Sequence, residues 1–433
     1  MLIRRSRRTP AWSRWLQPWQ KLDPYLFWIP VLLTLLGGLL IRSTELHQGW
    51  TDWSQHWVIG AIGIAIVLVV SRIDYKILLS LHWLIYGATC LSLLAVKFAG
   101  TSALGAQRWI TIAGFNVQPS EFAKVGVIIS LAALLSAWPA SSLPAIFRTL
   151  AITALPWGLV FLQPDLGTSL VFGAVTLGML YWANAHGGWI ILMLSPLVSA
   201  IVLNLPLPLL TSTTLWLGWS AAMAATAWFT LPNSILSAAL AGIINLSSGA
   251  IGHALWGVLQ DYQRDRLILF LDPDKDPLGG GYHLIQSRIA IGAGQLWGRG
   301  LNQGTQTQLN FIPEQHTDFI FSAIGEEFGL IGSLCLLAAF WLICVRLIKV
   351  ATASNDSFGS LLCIGIFTMI VFQVVINIGM TIGLAPVTGI PLPWLSYGRS
   401  ALLTNYLAIG LAESVANYTH PRTSPYPTVR RYR

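Results

Sequence analysis

The chain has 433 residues, of which 55% are hydrophobic and 10% charged, with 25 Lys and Arg against 17 Asp and Glu. A soluble globular protein carries roughly 25% charged residues, so a water-facing surface cannot be built here and most of the outer face must meet lipid. The basic excess sits largely at the ends and in short turns, and no arginine-rich helix, zinc pattern or aromatic-basic interleaving indicates a nucleic-acid partner.

The first 22 residues are polar and basic, without the apolar core of a signal peptide. Their run Arg4, Arg5, Arg7, Arg8 suits the acidic face of a membrane. A helix needs ~20 apolar residues to cross the hydrocarbon core. Twelve spans are predicted: 24–41, 55–71, 78–96, 119–137, 149–162, 169–183, 189–205, 213–229, 234–250, 318–345, 358–379 and 400–417. The first lacks a cleavage motif and is expected to be retained. From Leu166 to Gln260 there is no Asp, Glu, Lys or Arg, and breaks fall at polar or helix-breaking clusters such as Pro206, Pro208, Pro232 and Asn233. Cys90, Cys335, Cys344 and Cys363 lie in apolar stretches without metal-ligand or redox spacing and read as packing residues.

With the N-terminus inside, the cytoplasmic side collects the N-terminal arginines, Arg72, Lys76, Arg148, Arg346, Lys349 and the C-terminal arginines. Both termini are then cytoplasmic, and Asp261 to Gln315 lies outside. No nucleotide is present there, and no phosphate-binding glycine loop occurs in the chain. Synthesis at that face needs a substrate that arrives already activated.

Polar residues concentrate in a few groups, all of them toward the outer leaflet. Arg108 and Trp109 lie between the third and fourth spans. The stretch from Asp261 to His283 gathers carboxylates with Arg264 and Arg266, bent by Asp-Pro turns and a triple glycine. It reads as a solvated loop, or as a loop carried down onto the membrane by the glycine-rich stretch Leu284 to Gly300. Pro313 to Phe319 contains His316 and Asp318, and continues to Glu326 and Glu327, too deep to serve only as caps. Pro391 to Ser400 carries Arg399 at the head of the last span, placed to snorkel or to hold an anion. Within the bilayer, Glu121 and Lys124 share a helix face at i,i+3, either locking helices or serving catalysis. Asp165 in Gln163-Pro164-Asp165 can accept from a helix first turn. No metal is assigned; carboxylates around His316 leave a divalent cation as the one cofactor still open.

Acids, arginines and a greasy surround suit a substrate with a lipid tail, a phosphate neck and a sugar head. Arg108, Arg264, Arg266 and Arg399 would offset phosphate charge, and a loop carboxylate would take a proton from an attacking hydroxyl. That is glycosyl transfer from a lipid-pyrophosphate sugar.

The ordered motifs Gly105-Ala106-Gln107-Arg108-Trp109, Gln118-Pro119-Ser120-Glu121, Gln163 to Thr168, Tyr262 to His283, Gln286-Ser287, Pro313 to Phe319, Glu326-Glu327 and Pro391 to Ser400 run through most of the chain. On these the chain resembles the SEDS family (shape, elongation, division and sporulation), its rod-shape (RodA) branch more closely than its division (FtsW) branch. The resemblance implies an all-α polytopic membrane bundle forming a single membrane domain over 1–433, with an extracytoplasmic catalytic loop at 251–316. It implies a peptidoglycan glycosyltransferase that polymerises lipid II on the outer face of the cytoplasmic membrane, releasing undecaprenyl pyrophosphate, in elongation and rod-shape maintenance. It also implies a class B penicillin-binding transpeptidase and elongation-complex membrane proteins as partners. Asp276 falls on the family's loop aspartate, the expected general base, and Glu121 and Lys124 on its intramembrane pair. Gln286, Ser287, Trp109 and His316 join the four arginines as expected substrate-binding residues, with Asp165, Asp318, Glu326 and Glu327 in support. The chain departs from the family at Arg399, where a second glycine is usual, and in extra apolar sequence at 208–250, expected as an inserted helix pair beside ten core spans. A lipid II flippase and a non-catalytic transpeptidase scaffold are the rival readings.

Overall fold

The computed structural model describes residues 22–46, 52–103, 106–112, 115–204, 208–256, 276, 281–309 and 311–419. Its helices are α1 Pro24–Glu45, α2 Asp52–Val70, α3 Lys76–Ala99, α4 Pro119–Ala137, α5 Leu143–Phe161, α6 Leu166–Trp182 and α7 Gly187–Leu203. They continue with α8 Leu209–Thr230, α9 Ser234–Trp256, α10 Tyr282–Ala293, α11 Thr305–Gln308, α12 Ile320–Ala353, α13 Ser357–Ile382 and α14 Arg399–Tyr418. All but α10 and α11 overlap an expected span. Among the described residues, eight helices are long and apolar enough to cross a membrane; α6 and α7 are apolar but shorter. The chain is a multi-pass membrane protein.

Two boundaries, the start of α5 and the end of α12, differ from expectation for one reason. Arg148 lies inside α5 and stacks on Trp138 at 4.4 Å, while Arg346 and Lys349 lie inside α12. Long basic side chains reach the interface from within a helix, so these charges do not mark its end. A three-stranded antiparallel sheet, β1 Thr101–Ala103, β2 Ala106–Ile112 and β3 Phe115–Val117, was not expected between α3 and α4.

The bundle has two distinct ends. At one, Asp23 caps α1 by accepting from the amides of Tyr25 and Leu26, pairs with Arg346, and donates its own amide to Glu413 Oε2 at 2.9 Å. The N-terminal start of α1 and the C-terminal end of α14 therefore meet there, so both described chain ends share a side; we call it the terminal end. The opposite, loop end carries the sheet, α10, α11 and the segment 383–398.

Helix α4 is the most enclosed, with Ala123, Gly126, Ser130, Ala132 and Ala133 allowing close backbone approach. A Cβ on Gly126 would lie 2.1 Å from Thr89 Oγ1 of α3. The segment expected as a helix pair at 208–250 is α8 and α9, which pack on each other and on α7. Asn245 Nδ2 donates to Ser195 Oγ at 3.0 Å and Trp216 Nε1 to Ser199 Oγ at 3.0 Å, so this group is pinned by polar contacts inside an apolar exterior.

Helix α12 is broken. Its 34 residues would span about 51 Å at 1.5 Å per residue, far beyond the ~30 Å hydrocarbon core. Gly329 adopts φ 65°, ψ −161°, a region open in practice only to glycine. The backbone groups freed by the break are taken up by 295–300. The amides of Leu330 and Ile331 donate to the carbonyls of Gln295 and Leu296, and those of Arg299 and Gly300 donate to Glu326 and Glu327. Irregular backbone at this depth is tolerated because another part of the protein satisfies it.

Candidate active site at the loop end

Helix starts and tight turns place most of the polar groups. Asp165 caps α6: Oδ1 accepts from Thr168 N at 3.1 Å, and Oδ2 from Thr168 Oγ1 at 3.0 Å, Gln118 Nε2 at 3.2 Å and Ser120 Oγ at 3.3 Å. One buried carboxylate thus ties the heads of α4 and α6. Gln118 N donates to Ser400 Oγ at 2.9 Å, adding the head of α14. One turn down α4, Glu121 and Lys124 form a buried ion pair at 2.6 Å.

Arg399 opens α14. Its Nε donates to Tyr397 Oη at 3.1 Å, another of its nitrogens reaches Gln55 Oε1, and the guanidinium lies 5.1 Å from the Phe115 ring of β3. Tyr397 N donates to the His316 carbonyl at 2.9 Å, and the two rings lie 5.8 Å apart. Burial holds the His316 imidazole below the ordinary histidine value, partly opposed by Glu314 and Asp52. His283 stacks on Phe319 at 6.1 Å and is depressed by burial in the same way.

Other expected residues hold the framework. Arg108 on β2 donates from Nε to Gln163 O at 3.4 Å and also reaches Pro164 O, closing the turn between α5 and α6. Ser287 is fully enclosed; its hydroxyl lies 2.6 Å from Ser322 Oγ and donates to Thr381 O at 2.7 Å, fixing α10 against α12 and α13. Glu326 accepts four hydrogen bonds, from Gln306 N, Thr305 Oγ1, Thr307 N and Thr307 Oγ1, and so holds α11 by its start. Glu327 accepts from Ser43 Oγ and Asn302 N. The carbonyl of Asp318 accepts from Asn377 Nδ2 at 2.9 Å.

Asp276 is exposed, and its carbonyl accepts from Gly281 N at 3.0 Å just before α10 begins. Gln286 is half-buried on α10 and Trp109 half-buried on β2. Arg264 and Arg266 lie outside the described residues. The arrangement therefore unites Arg399 with His316 and Asp165 with Ser400, while Arg108, Ser287 and Glu326 are spent on backbone and loop contacts. Sequence reasoning missed Gln55 and Tyr397, which hold Arg399, although Tyr397 stands two residues before it.

An apolar groove of about 430 Å³ runs along α3, α4 and α14 as far as the terminal end, lined by Thr89, Phe122, Gly126 and Leu407 and, at that end, by Ile73 and Tyr75.

A family model described as cell cycle protein (FTSW_RODA_SPOVE) matches residues 22–213 and 209–421. The chain belongs to this family. Among its SEDS relatives, the peptidoglycan glycosyltransferase RodA of Treponema pallidum is 34% identical over 90% of this chain and 96% of its own length. The peptidoglycan glycosyltransferase MrdB of Escherichia coli K12 is 34% identical over 93% and 95%. A probable peptidoglycan glycosyltransferase FtsW of Geobacter metallireducens is 30% identical over 92% and 95%. A chain from a solved peptidoglycan synthase complex, described as coordinating polymerization and crosslinking, superposes with TM-score 0.69 at 26% identity, covering 92% of this chain and 99% of that one. The fold is also that of Thermus thermophilus RodA, with TM-score 0.59 at 22% identity over 93% and 99%.

Proposed function

We propose that this chain, a peptidoglycan glycosyltransferase of the SEDS family, polymerises lipid II at the outer face of the cytoplasmic membrane in cell elongation. The acceptor sugar hydroxyl attacks C1 of the donor sugar, and the bond from C1 to the pyrophosphate oxygen breaks. Undecaprenyl pyrophosphate leaves, and the hydroxyl proton passes to Asp276. Arg399, held by Tyr397 and Gln55, and the loop residues Arg264 and Arg266 stabilise the departing phosphates. Asp165 and the Glu121–Lys124 pair keep the heads of α4, α6 and α14 in register. The polyprenyl tail lies in the apolar groove between α3, α4 and α14.

One observation carries this reading. The polar cluster of His316, Tyr397, Arg399, Gln55 and Asp165 sits at the loop end, and the groove between α3, α4 and α14 in the body of the same bundle is apolar. That is the division of chemistry along a substrate with a charged neck and a hydrocarbon tail. The terminal end, where Arg72, Lys76, Arg148, Arg346 and Lys349 gather, faces the cytoplasm under the positive-inside bias. Helices α8 and α9 are an insertion beside the family core, and as a pair they keep the loop end outside. Similarity to a chain of a synthase complex that joins polymerization to crosslinking supports a class B penicillin-binding transpeptidase as partner.

The test is incubation of purified full-length chain, with its transpeptidase, with labelled lipid II in detergent. Glycan chains and released undecaprenyl pyrophosphate are expected. Transfer of lipid II across proteoliposomes without any polymer would instead establish the flippase reading and end this one.

A further inference from the structure

The mechanism leaves Glu45 unused. This carboxylate ends α1, is 3% exposed, and stands beside Asp52 at the head of α2 and His316 from the segment before α12. We propose that Glu45, Asp52 and His316 form a binding site for one divalent first-row cation of the Mn²⁺ or Zn²⁺ class.

One donor atom from each residue lies within 4.8 Å of the other two. Metal–ligand bonds of about 2.0–2.2 Å would require these donors to close in slightly, a movement within the reach of carboxylate rotamers. An independent observation points to a ligand. Glu45 Oε2 accepts from Trp53 N at 3.3 Å, while Oε1 is sealed from solvent and has no hydrogen-bond partner among the described residues. A carboxylate serving only to cap α2 would leave its second oxygen in water or bonded, since a buried acceptor without a partner is costly. Nor do the described residues give Glu45 or Asp52 an ion pair with lysine or arginine. Arg399 is linked to Asp52 through Gln55, whose Nε2 donates to Asp52 Oδ1 at 3.4 Å, and through Tyr397.

The donor set chooses the metal class. Two carboxylates neutralise a divalent charge, and the imidazole favours a transition cation over Mg²⁺ or Ca²⁺, which prefer oxygen alone. His316 is already positioned by its carbonyl, which accepts from Tyr397 N at 2.9 Å. The cation would join three separate segments: the end of α1, the start of α2 and the approach to α12.

This inference is independent of the polymerisation reading, because binding is measured directly. Purified full-length chain in detergent is stripped with EDTA, desalted and titrated with Mn²⁺, free Mn²⁺ being read by electron paramagnetic resonance, with Zn²⁺ as competitor. One saturable Mn²⁺ per chain is expected, displaced by Zn²⁺. Glu45→Gln and Asp52→Asn are each expected to weaken binding about tenfold or more. Metal should raise the melting temperature of the wild type and not of the variants. Should Glu45→Gln fail to fold, Asp52→Asn decides. Absence of saturable binding to the wild type, or undiminished binding by a folded variant, overturns the site.

Discussion

Gly329→Ala attacks the break in α12. At φ 65°, ψ −161° a residue with a Cβ is strained by about 1–3 kcal/mol. The added atom would also lie 2.3 Å from Gly298 N and 2.8 Å from the Leu296 carbonyl carbon. These are backbone atoms, so no side chain can turn away to relieve the contact. Either the 295–300 segment separates from α12 or α12 straightens. Both routes forfeit the four backbone hydrogen bonds exchanged across the break, each worth about 0.5–1.5 kcal/mol net. Strain alone corresponds to roughly five- to 150-fold faster opening at 1.4 kcal/mol per decade. Hydrogen–deuterium exchange of peptides covering 295–303 and 328–332 reads this locally, and a thermal melt in detergent reads it globally. Exchange is expected to rise at least fivefold, with a lower melting temperature. Unchanged exchange in both peptides would show that the break is not held by glycine geometry and would refute the reasoning.

The Glu121–Lys124 pair offers a second test. Glu121→Ala leaves a lysine stranded at 1% exposure and is expected to cost about 3–5 kcal/mol, seen as a clear drop in melting temperature. Glu121→Leu with Lys124→Met should recover most of it; equal loss in single and double variants would argue against a pair. A third concerns pH. Burial holds His283 and His316 below the usual histidine value, so the fold favours their neutral forms. The stability they contribute is complete above the unfolded value near 6.5 and is lost as pH falls from there through the folded value. Melting temperature should therefore drop between pH 7 and pH 5 by more in the wild type than in His283→Asn. Parallel curves for the two would remove His283 from the account.

Much of the bundle is legible in the sequence because an apolar run of the right length has few alternatives in a chain with so little charge. The exceptions are instructive. Arg148 and Arg346 look like loop charges but lie within helices, one stacked on Trp138 and the other paired with Asp23. The break at Gly329 is hidden because a lone glycine in an apolar stretch gives no sign of it. What fixes the break is 295–300, some thirty residues earlier, and its backbone amides and carbonyls carry no side-chain signal. The sheet at 101–117 was missed because its strands are short and enclosed between two obvious spans.

The site shows the same division. Asp165 is readable as a cap from the proline and helix that flank it, and the structure adds its links to Gln118 and Ser120. Arg399 is readable as an unusual charge at a helix head. Its partner Gln55 is not, because the two meet across 344 positions of sequence. Ser287 shows the reverse case: a motif residue expected to contact substrate is enclosed between helices, and its motif carries no sign of that burial. Glu45 drew no notice, since a carboxylate at the end of a first span reads as an interfacial charge; only folding brings it beside Asp52 and His316.

The central claim is that the loop end performs glycosyl transfer with Asp276 as base. The most direct measurement is lipid II polymerisation by Asp276→Ala beside the wild type, both with the transpeptidase and both checked by thermal melt. The account predicts that the variant keeps the wild-type melting temperature, as befits an exposed side chain, and makes no glycan chains. A folded Asp276→Ala protein that polymerises at the wild-type rate would contradict it.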